Sequence, residues 1–204
     1  MQTHYEKFVQ NRTWFRYLLG LISRWKMNLT YERARRIARK RGAIIGDHSI
    51  ISISLAKKAN SNLEIGDHTS ILSDDIRLVS KVKIGSYVII GYGNSILTTS
   101  HNIDSTEWEY KHYGIEIEDY VWIPTKITIL PSCRHIGYGA VISSGSVVVK
   151  NVDSMSVVGG NPAKEIKKRK CVHTDLVVEH LLGGDYEIYK KTWAQRNRKD
   201  DAQQ

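Results

Sequence analysis

His101 is the residue of this chain best placed to do chemistry. It lies in a stretch, Ser100 to Glu116, that is polar and aromatic and holds Asn102, Asp104, Trp108, Tyr110, His112 and Tyr113. Histidine has the unperturbed pKa closest to neutrality. A neutral imidazole can therefore take a proton from a weak nucleophile such as a hydroxyl and return it to a leaving group. The plainer role is a loop histidine bonded to backbone. Asp104, three residues on, fits an orienting carboxylate for the imidazole or a turn residue, and the turn is the simpler reading. Asp74 and its neighbour Asp75 form a second polar pair, able to bond substrate hydroxyls or to face water at a turn.

What positions these residues is a repeat. Ile45, Ile51; Ile65, Ile71; Ile84, Ile90, Ile96; Ile117, Ile123, Ile129; and Ile136, Ile142, Val148 recur at six-residue intervals within each run. Helical packing would need steps of three and four. An antiparallel β domain would scatter its turns at roughly 8–12 residues. A six-residue period suits a short strand and a corner with one bulky side chain turned inward. The glycine that often follows the aliphatic residue is expected to supply a positive φ at the corner. Three such units make one triangular coil of ~18 residues, and coils stack at strand spacing. Ile71 to Ile84 spans thirteen residues, Ile96 to Ile117 twenty-one, and Ile129 to Ile136 seven. The long gap predicts a loop over 100–116, leaving on the binding face. The extra residue near His135 predicts a bulged coil with Cys133 on a corner.

The open ends of a solenoid need covers. Residues 1–42 read as a basic helical segment, with Thr30 capping a helix to Arg41 and Gly42 ending it. Residues 43–163 read as the solenoid domain, and 164–204 as a basic linker followed by C-terminal helices. The first of these helices is expected from Thr174 or Asp175 to Leu182, and the tail from Ala194 is expected to fray. The net charge of +9 is carried by 1–42, which hold eleven Lys/Arg against two Asp/Glu, while nineteen of each balance in the rest. Such a head fits an anionic partner, a membrane surface among them, or a solvated helix face. No nucleic-acid motif accompanies the charge. Two cysteines make no disulfide framework, no run reads as a membrane span, and a reduced cytoplasmic setting is expected.

Five motifs carry a resemblance. They are Thr98-Thr99-Ser100-His101-Asn102-Ile103-Asp104, Val121-Trp122-Ile123, Ile129-Leu130-Pro131, Gly145-Ser146-Val147-Val148 and Val157-Val158-Gly159-Gly160-Asn161-Pro162-Ala163-Lys164. In order and spacing, this set resembles the hexapeptide-repeat acyltransferase superfamily, nearest to its maltose, galactoside and polysaccharide O-acetyltransferases. The resemblance implies a left-handed parallel β-helix with short helical ends, and a homotrimer with acetyl-CoA bound between subunits. It implies His101 as catalytic base and Trp122 lining the donor or acceptor channel. Thr125 and Ser144 would meet the pantetheine arm, with Lys150 near the diphosphate. Lys164 and Lys167, in a run of five basic residues and one Glu, would face nucleotide phosphates. A solvated charged helix end is the alternative for that run.

The reaction implied is O-acetylation of a saccharide in surface-polysaccharide biosynthesis, with a lipid-linked glycan as one acceptor and the basic head touching the inner membrane face. Two other readings share the scaffold: N-acetylation of an amino sugar, and a non-catalytic trimeric scaffold. A third, a γ-type carbonic anhydrase, needs two zinc-binding histidines five apart, and no pair among the eight is so spaced; no metal is expected. Departures from the family pattern, including Leu72-Ser73-Asp74-Asp75, Pro124-Thr125 and Val149, imply an altered acceptor pocket.

Overall fold

The computed structural model describes residues 3–174, 180 and 182–201. The chain opens with two helices, α1 (His4–Gln10) and α2 (Trp14–Lys40). Thr3 and Glu6 form a capping box on α1, and the Thr13 side chain accepts from the Arg16 amide to start α2. Thr30 does not begin a helix. It lies inside α2, where its hydroxyl bonds back to the Lys26 carbonyl at 3.1 Å, a habit of mid-helix Ser and Thr. Gly42, at φ +92°, lies just past the C-cap Arg41 and ends the helix as expected.

From Ile44 the sixes become coils. The first holds β1 (Ile44–Ile45), β2 (Ile50–Ile51) and, in place of a third strand, the short helix α3 (Ile53–Lys58). The second holds β3 (Leu63–Ile65), β4 (Ser70–Ile71) and β5 (Asp75–Ile76). The third holds β6 (Val82–Ile84), β7 (Ile89–Ile90) and β8 (Ser95–Ile96). An antiparallel hairpin, β9 (Thr99–His101) and β10 (Tyr110–His112), then leaves the coil. The fourth coil is β11 (Ile115–Ile117), β12 (Trp122–Ile123) and β13 (Thr128–Ile129). The fifth is β14 (His135–Ile136), β15 (Val141–Ile142) and β16 (Val147–Val148). A last partial turn carries β17 (Ser156–Gly160) and β18 (Ala163–Lys168). The stretch expected as a basic linker is thus a strand, paired antiparallel to β17.

Three sheets form the sides of the prism, parallel throughout except where β18 joins β17. Register stacks Ile45 on Ile65, Ile84, Ile117 and Ile136. It stacks Ile51 on Ile71, Ile90 and Ile123 along the second side. Ile76, Ile96, Ile129 and Val148 stack along the third. All are buried, each adding about 1.5–3 kcal/mol of hydrophobic stabilisation before entropy is counted. The thirteen-residue step is explained by Ile76, which comes five residues after Ile71. A shortened corner over Leu72–Asp75 breaks the period and hides the strand. The seven-residue step is absorbed where Cys133 turns inward, 2% exposed, and the Asn151 side chain accepts from the amides of Arg134 and His135 at 2.8 and 3.1 Å.

The corners correct one expectation. Positive φ falls three residues after the inward isoleucine, on His48, His68, Tyr87 and Tyr120 at +57°, +52°, +58° and +59°, two places beyond a glycine in the first three and beyond Glu118 in the last. Their rings stack in a column at 5.0, 5.1 and 4.9 Å, contacts that offset the cost of a left-handed residue at each corner. The glycines serve closeness instead. A Cβ on Gly46, Gly66 or Gly85 would strike the next coil.

The helices at the two ends of the described chain pack together. Helix α2 covers the first coil through Ala34, Arg35 and Ala38, and Arg35 donates to the Ser49 carbonyl at 2.8 Å. The C-terminal segment forms α4 (Tyr186–Asp201), so the tail is helical at least to Asp201 rather than frayed from Ala194. Asp185 is buried beside it, 2.8 Å from Arg24 of α2 and bonded by the Tyr5 hydroxyl of α1. The helix expected from Thr174 or Asp175 to Leu182 lies largely outside the described residues. No helix among the described residues is long and apolar enough to cross a membrane.

Candidate active site

The hairpin that carries His101 is held by its own side chains. Asn102 donates to the Glu109 carboxylate, and the Asn102 amide bonds the Glu109 carbonyl at 2.9 Å. Hydrogen bonds from Ser105 and Asn102 hold the Glu109 carboxyl far down, at about 2. The imidazole of His101 lies 5.4 Å from the Trp108 ring and 4.2 Å from that of Tyr110, centre to centre. Its Nδ1 sits 2.7 Å from the Trp108 carbonyl oxygen. A carbonyl only accepts, so this contact assigns the proton to Nδ1 and leaves the Nε2 lone pair free for a substrate. Asp104 lies in the turn of the hairpin. The group met by Nδ1 is the backbone carbonyl of Trp108 rather than the Asp104 carboxylate. Trp108 has φ +51°, and no side-chain rule announces that its carbonyl should turn inward.

Trp122 is on β12 and 44% exposed. With Leu72, Tyr92, Pro124 and Thr125 it lines a mostly apolar cavity of about 490 Å³. Arg169 and His173 close one side. Arg169 donates to the carbonyls of Tyr120 and Gly139 at 3.1 and 3.0 Å, and His173 Nε2 meets the Tyr87 carbonyl at 2.8 Å. These two residues latch the chain after β18 onto three coils. In the sequence Arg169 is one of the five basic residues of the run from Lys164 to Lys170, and its reach across coils has no sequence signal. His101 does not line this cavity.

Thr125 and Ser144 occupy matching corners of adjacent coils, their hydroxyls 3.5 Å apart. Lys150 and Lys164 share a groove of about 340 Å³ with Asn151, Asp153, Pro162 and Glu165. Glu165 is engaged by Ser156 and Lys168, which hold its carboxyl below the usual range. Among the described residues neither Lys150 nor Lys164 forms an ion pair, so both ammonium groups are available for phosphate oxygens, with the Asp153 carboxylate in the same groove. Lys167, on β18, is exposed and does not line it. Asp74 lies elsewhere, in a cleft with Lys58, Asn60 and Arg77. The Ser54 hydroxyl, and with it the Lys58 ammonium at 3.5 Å, hold its carboxyl low. Among the described residues no group of three or more His, Cys, Asp or Glu could hold a metal ion.

No family model matches the chain. A chloramphenicol acetyltransferase of Escherichia coli is 51% identical over 112 residues, covering 45% of this chain and 53% of that protein. A protein named as a colanic acid biosynthesis acetyltransferase, WcaF of Escherichia coli strain K12, is 28% identical across 72% of this chain and 81% of its own. Among solved structures, a galactoside acetyltransferase in complex with coenzyme A superposes with a TM-score of 0.51. It covers 81% of this chain and 83% of that one, at 19% identity. In fold the chain is similar to this galactoside acetyltransferase, and over part of its length it is similar in sequence to proteins named as acetyltransferases. The fold of this hexapeptide-repeat chain is the left-handed parallel β-helix, with about six turns. The chain spans less than three fifths of the length of several curated relatives it matches.

Proposed function

We propose that the protein is an acetyl-CoA-dependent O-acetyltransferase acting on a saccharide hydroxyl, in the making of a surface polysaccharide. The observation that carries this reading is the His101 imidazole, fixed by the Trp108 carbonyl at 2.7 Å with Nε2 left as a base. Nε2 takes the hydroxyl proton while the oxygen attacks the thioester carbon. The tetrahedral oxyanion collapses with cleavage of the carbon–sulfur bond. The imidazolium then returns the proton to the sulfur, giving an acetyl ester and free CoA thiol. A backbone N–H at a coil corner is the natural oxyanion donor. Thr125 and Ser144 would contact the pantetheine arm, and Lys150, Lys164 and Lys167 the phosphates. The name of the WcaF relative supports the polysaccharide setting.

The site is proposed to be completed in a homotrimer. His101 and the Trp122 cavity are not joined within one protomer, and β10 of the hairpin is exposed along its length. A neighbouring copy would close the cleft between hairpin and cavity.

A second reading keeps the chemistry and changes the acceptor. The apolar cavity beside Trp122 and the stretch shared with a chloramphenicol acetyltransferase favour a small apolar alcohol. Turnover on saccharide acceptors against chloramphenicol separates the two. Calorimetry with acetyl-CoA on wild type and His101→Ala tests the core proposal. Both should bind, and only wild type should turn over. Loss of binding in the variant would make His101 a ligand-binding or structural residue.

A further inference from the structure

Helix α2 presents one unpaired ridge to solvent, and its two halves differ. Its apolar part is Phe15, Leu19, Ile22 and Leu29, exposed by 63, 53, 43 and 50%. On the next ridge stand Trp14 and Trp25, 66 and 48% exposed. Lys26, Arg33, Arg36 and Lys40 continue the first ridge in the same alternating steps of four and three, and all four are exposed. The opposite face is occupied. Ala34, Arg35 and Ala38 are buried against the first coil, Gly20 makes room for Tyr189 of α4, and Arg24 is bonded to buried Asp185. The helix is therefore rigidly mounted with its apolar and basic ridge outward. Nothing in the ridge has to fold before it binds.

A ridge at this spacing could also zip against a second copy of itself as a coiled-coil seam. Charge argues against that. Half of its eight positions are cations; a parallel self-seam would set them against their own kind, and an antiparallel one would press Arg33, Arg36 and Lys40 onto the apolar end with no acid to receive them. The one acid on α2, Glu32, is already engaged by Arg35 at 2.7 Å and Arg36 at 3.9 Å. Large apolar and indole side chains beside fixed cations instead match the boundary between acyl chains and anionic headgroups.

We infer that this ridge of α2 docks on an anionic lipid surface, with the helix lying in the plane of the interface and the solenoid held on its far side. Phe15, Leu19 and Ile22 enter the acyl boundary, and Arg33, Arg36 and Lys40 meet the lipid phosphates. The inference is independent of the reaction proposed above.

The test is flotation of the full chain with vesicles of phosphatidylcholine alone and of phosphatidylcholine mixed with phosphatidylglycerol. Binding is expected only to the anionic vesicles and should fall as salt rises. Leu19→Glu/Ile22→Glu should weaken it by about tenfold or more. Arg33→Gln/Arg36→Gln should weaken it and flatten the salt dependence. Both variants alter exposed positions, and unchanged circular dichroism spectra would show them folded. Equal binding to neutral vesicles, or none to either, would overturn the inference. So would retention by duplex DNA without vesicle binding, or a drop in molar mass by light scattering in the Leu19→Glu/Ile22→Glu variant with no vesicle binding by wild type.

Discussion

Nδ1 of His101 lies 2.7 Å from the carbonyl oxygen of Trp108, seven residues along the same hairpin. One hydrogen bond thus fixes both the orientation and the tautomer of the ring. Nitrogen-15 NMR of labelled histidine should show His101, when neutral, with its proton on Nδ1 and a lone pair on Nε2. A ring protonated on Nε2 would remove it from the role of base. His101→Ala should lower turnover by roughly 10²–10⁴-fold, the range ordinarily supplied by a positioned acid–base group.

Glu109 ties the neck of the loop that β9 and β10 enclose, bonded there to Asn102. Its carboxyl is held at about 2, chiefly by Ser105 and then by Asn102. A depressed folded-state pKa means that its contribution is complete above the ordinary carboxylate range and is lost as pH falls from there towards 2. The hairpin should keep its hydrogen-exchange protection unchanged from neutrality to about pH 5 and lose it only in stronger acid. Glu109→Gln should lose protection over 99–112 already at neutral pH. Equal protection in the two proteins would mean that the carboxylate does not order the hairpin.

Gly91 and Gly145 separate two reasons for glycine. A Cβ on Gly91 would land on the Pro124 carbonyl oxygen of the next coil, whereas at Gly145, φ +75°, nothing lies within 4 Å. Gly145→Ala should cost only the left-handed penalty, about 1–2 kcal/mol. Gly91→Ala must push two coils apart and should cost more, by roughly another 1–3 kcal/mol. Urea denaturation of both variants tests the order, and a smaller loss for Gly91→Ala would contradict the register described for β7 and β12.

The two thiols should react in sequence. Cys133 is buried, and burial pushes its thiol up to about 11, while Cys171 is exposed. Thiolate is the reactive form. Ellman's reagent should therefore titrate one thiol in the native protein, and a second only after denaturant is added. Two thiols reacting at equal rates under native conditions would show that the bulge near His135 is open.

The sequence by itself determined the solenoid. Six-residue spacing of isoleucines is a statement about which side chains share one inward column, and Ile84, Ile90, Ile96, Ile117, Ile123 and Ile129 fall in the columns that their spacing demands. It also located the hairpin with His101, because a segment without the repeat has no place on the prism. Where the period slipped, the sequence was silent. Ile76 was hidden by a shortened corner, and α3 by a side of the first coil that is not a strand. Corner geometry was misassigned, since the glycine serves close approach between coils, whose partner is some twenty to thirty-five residues away in the chain.

Tertiary structure alone decided which groups meet. Trp108 supplies a carbonyl to His101, Arg169 and His173 reach back over β12, and Lys150 and Lys164 come to one groove while Asp74 lies in another cleft. Periodicity records the face on which a side chain lies. It holds no record of which backbone carbonyl turns towards it, or of where a strand leaving the last coil comes down.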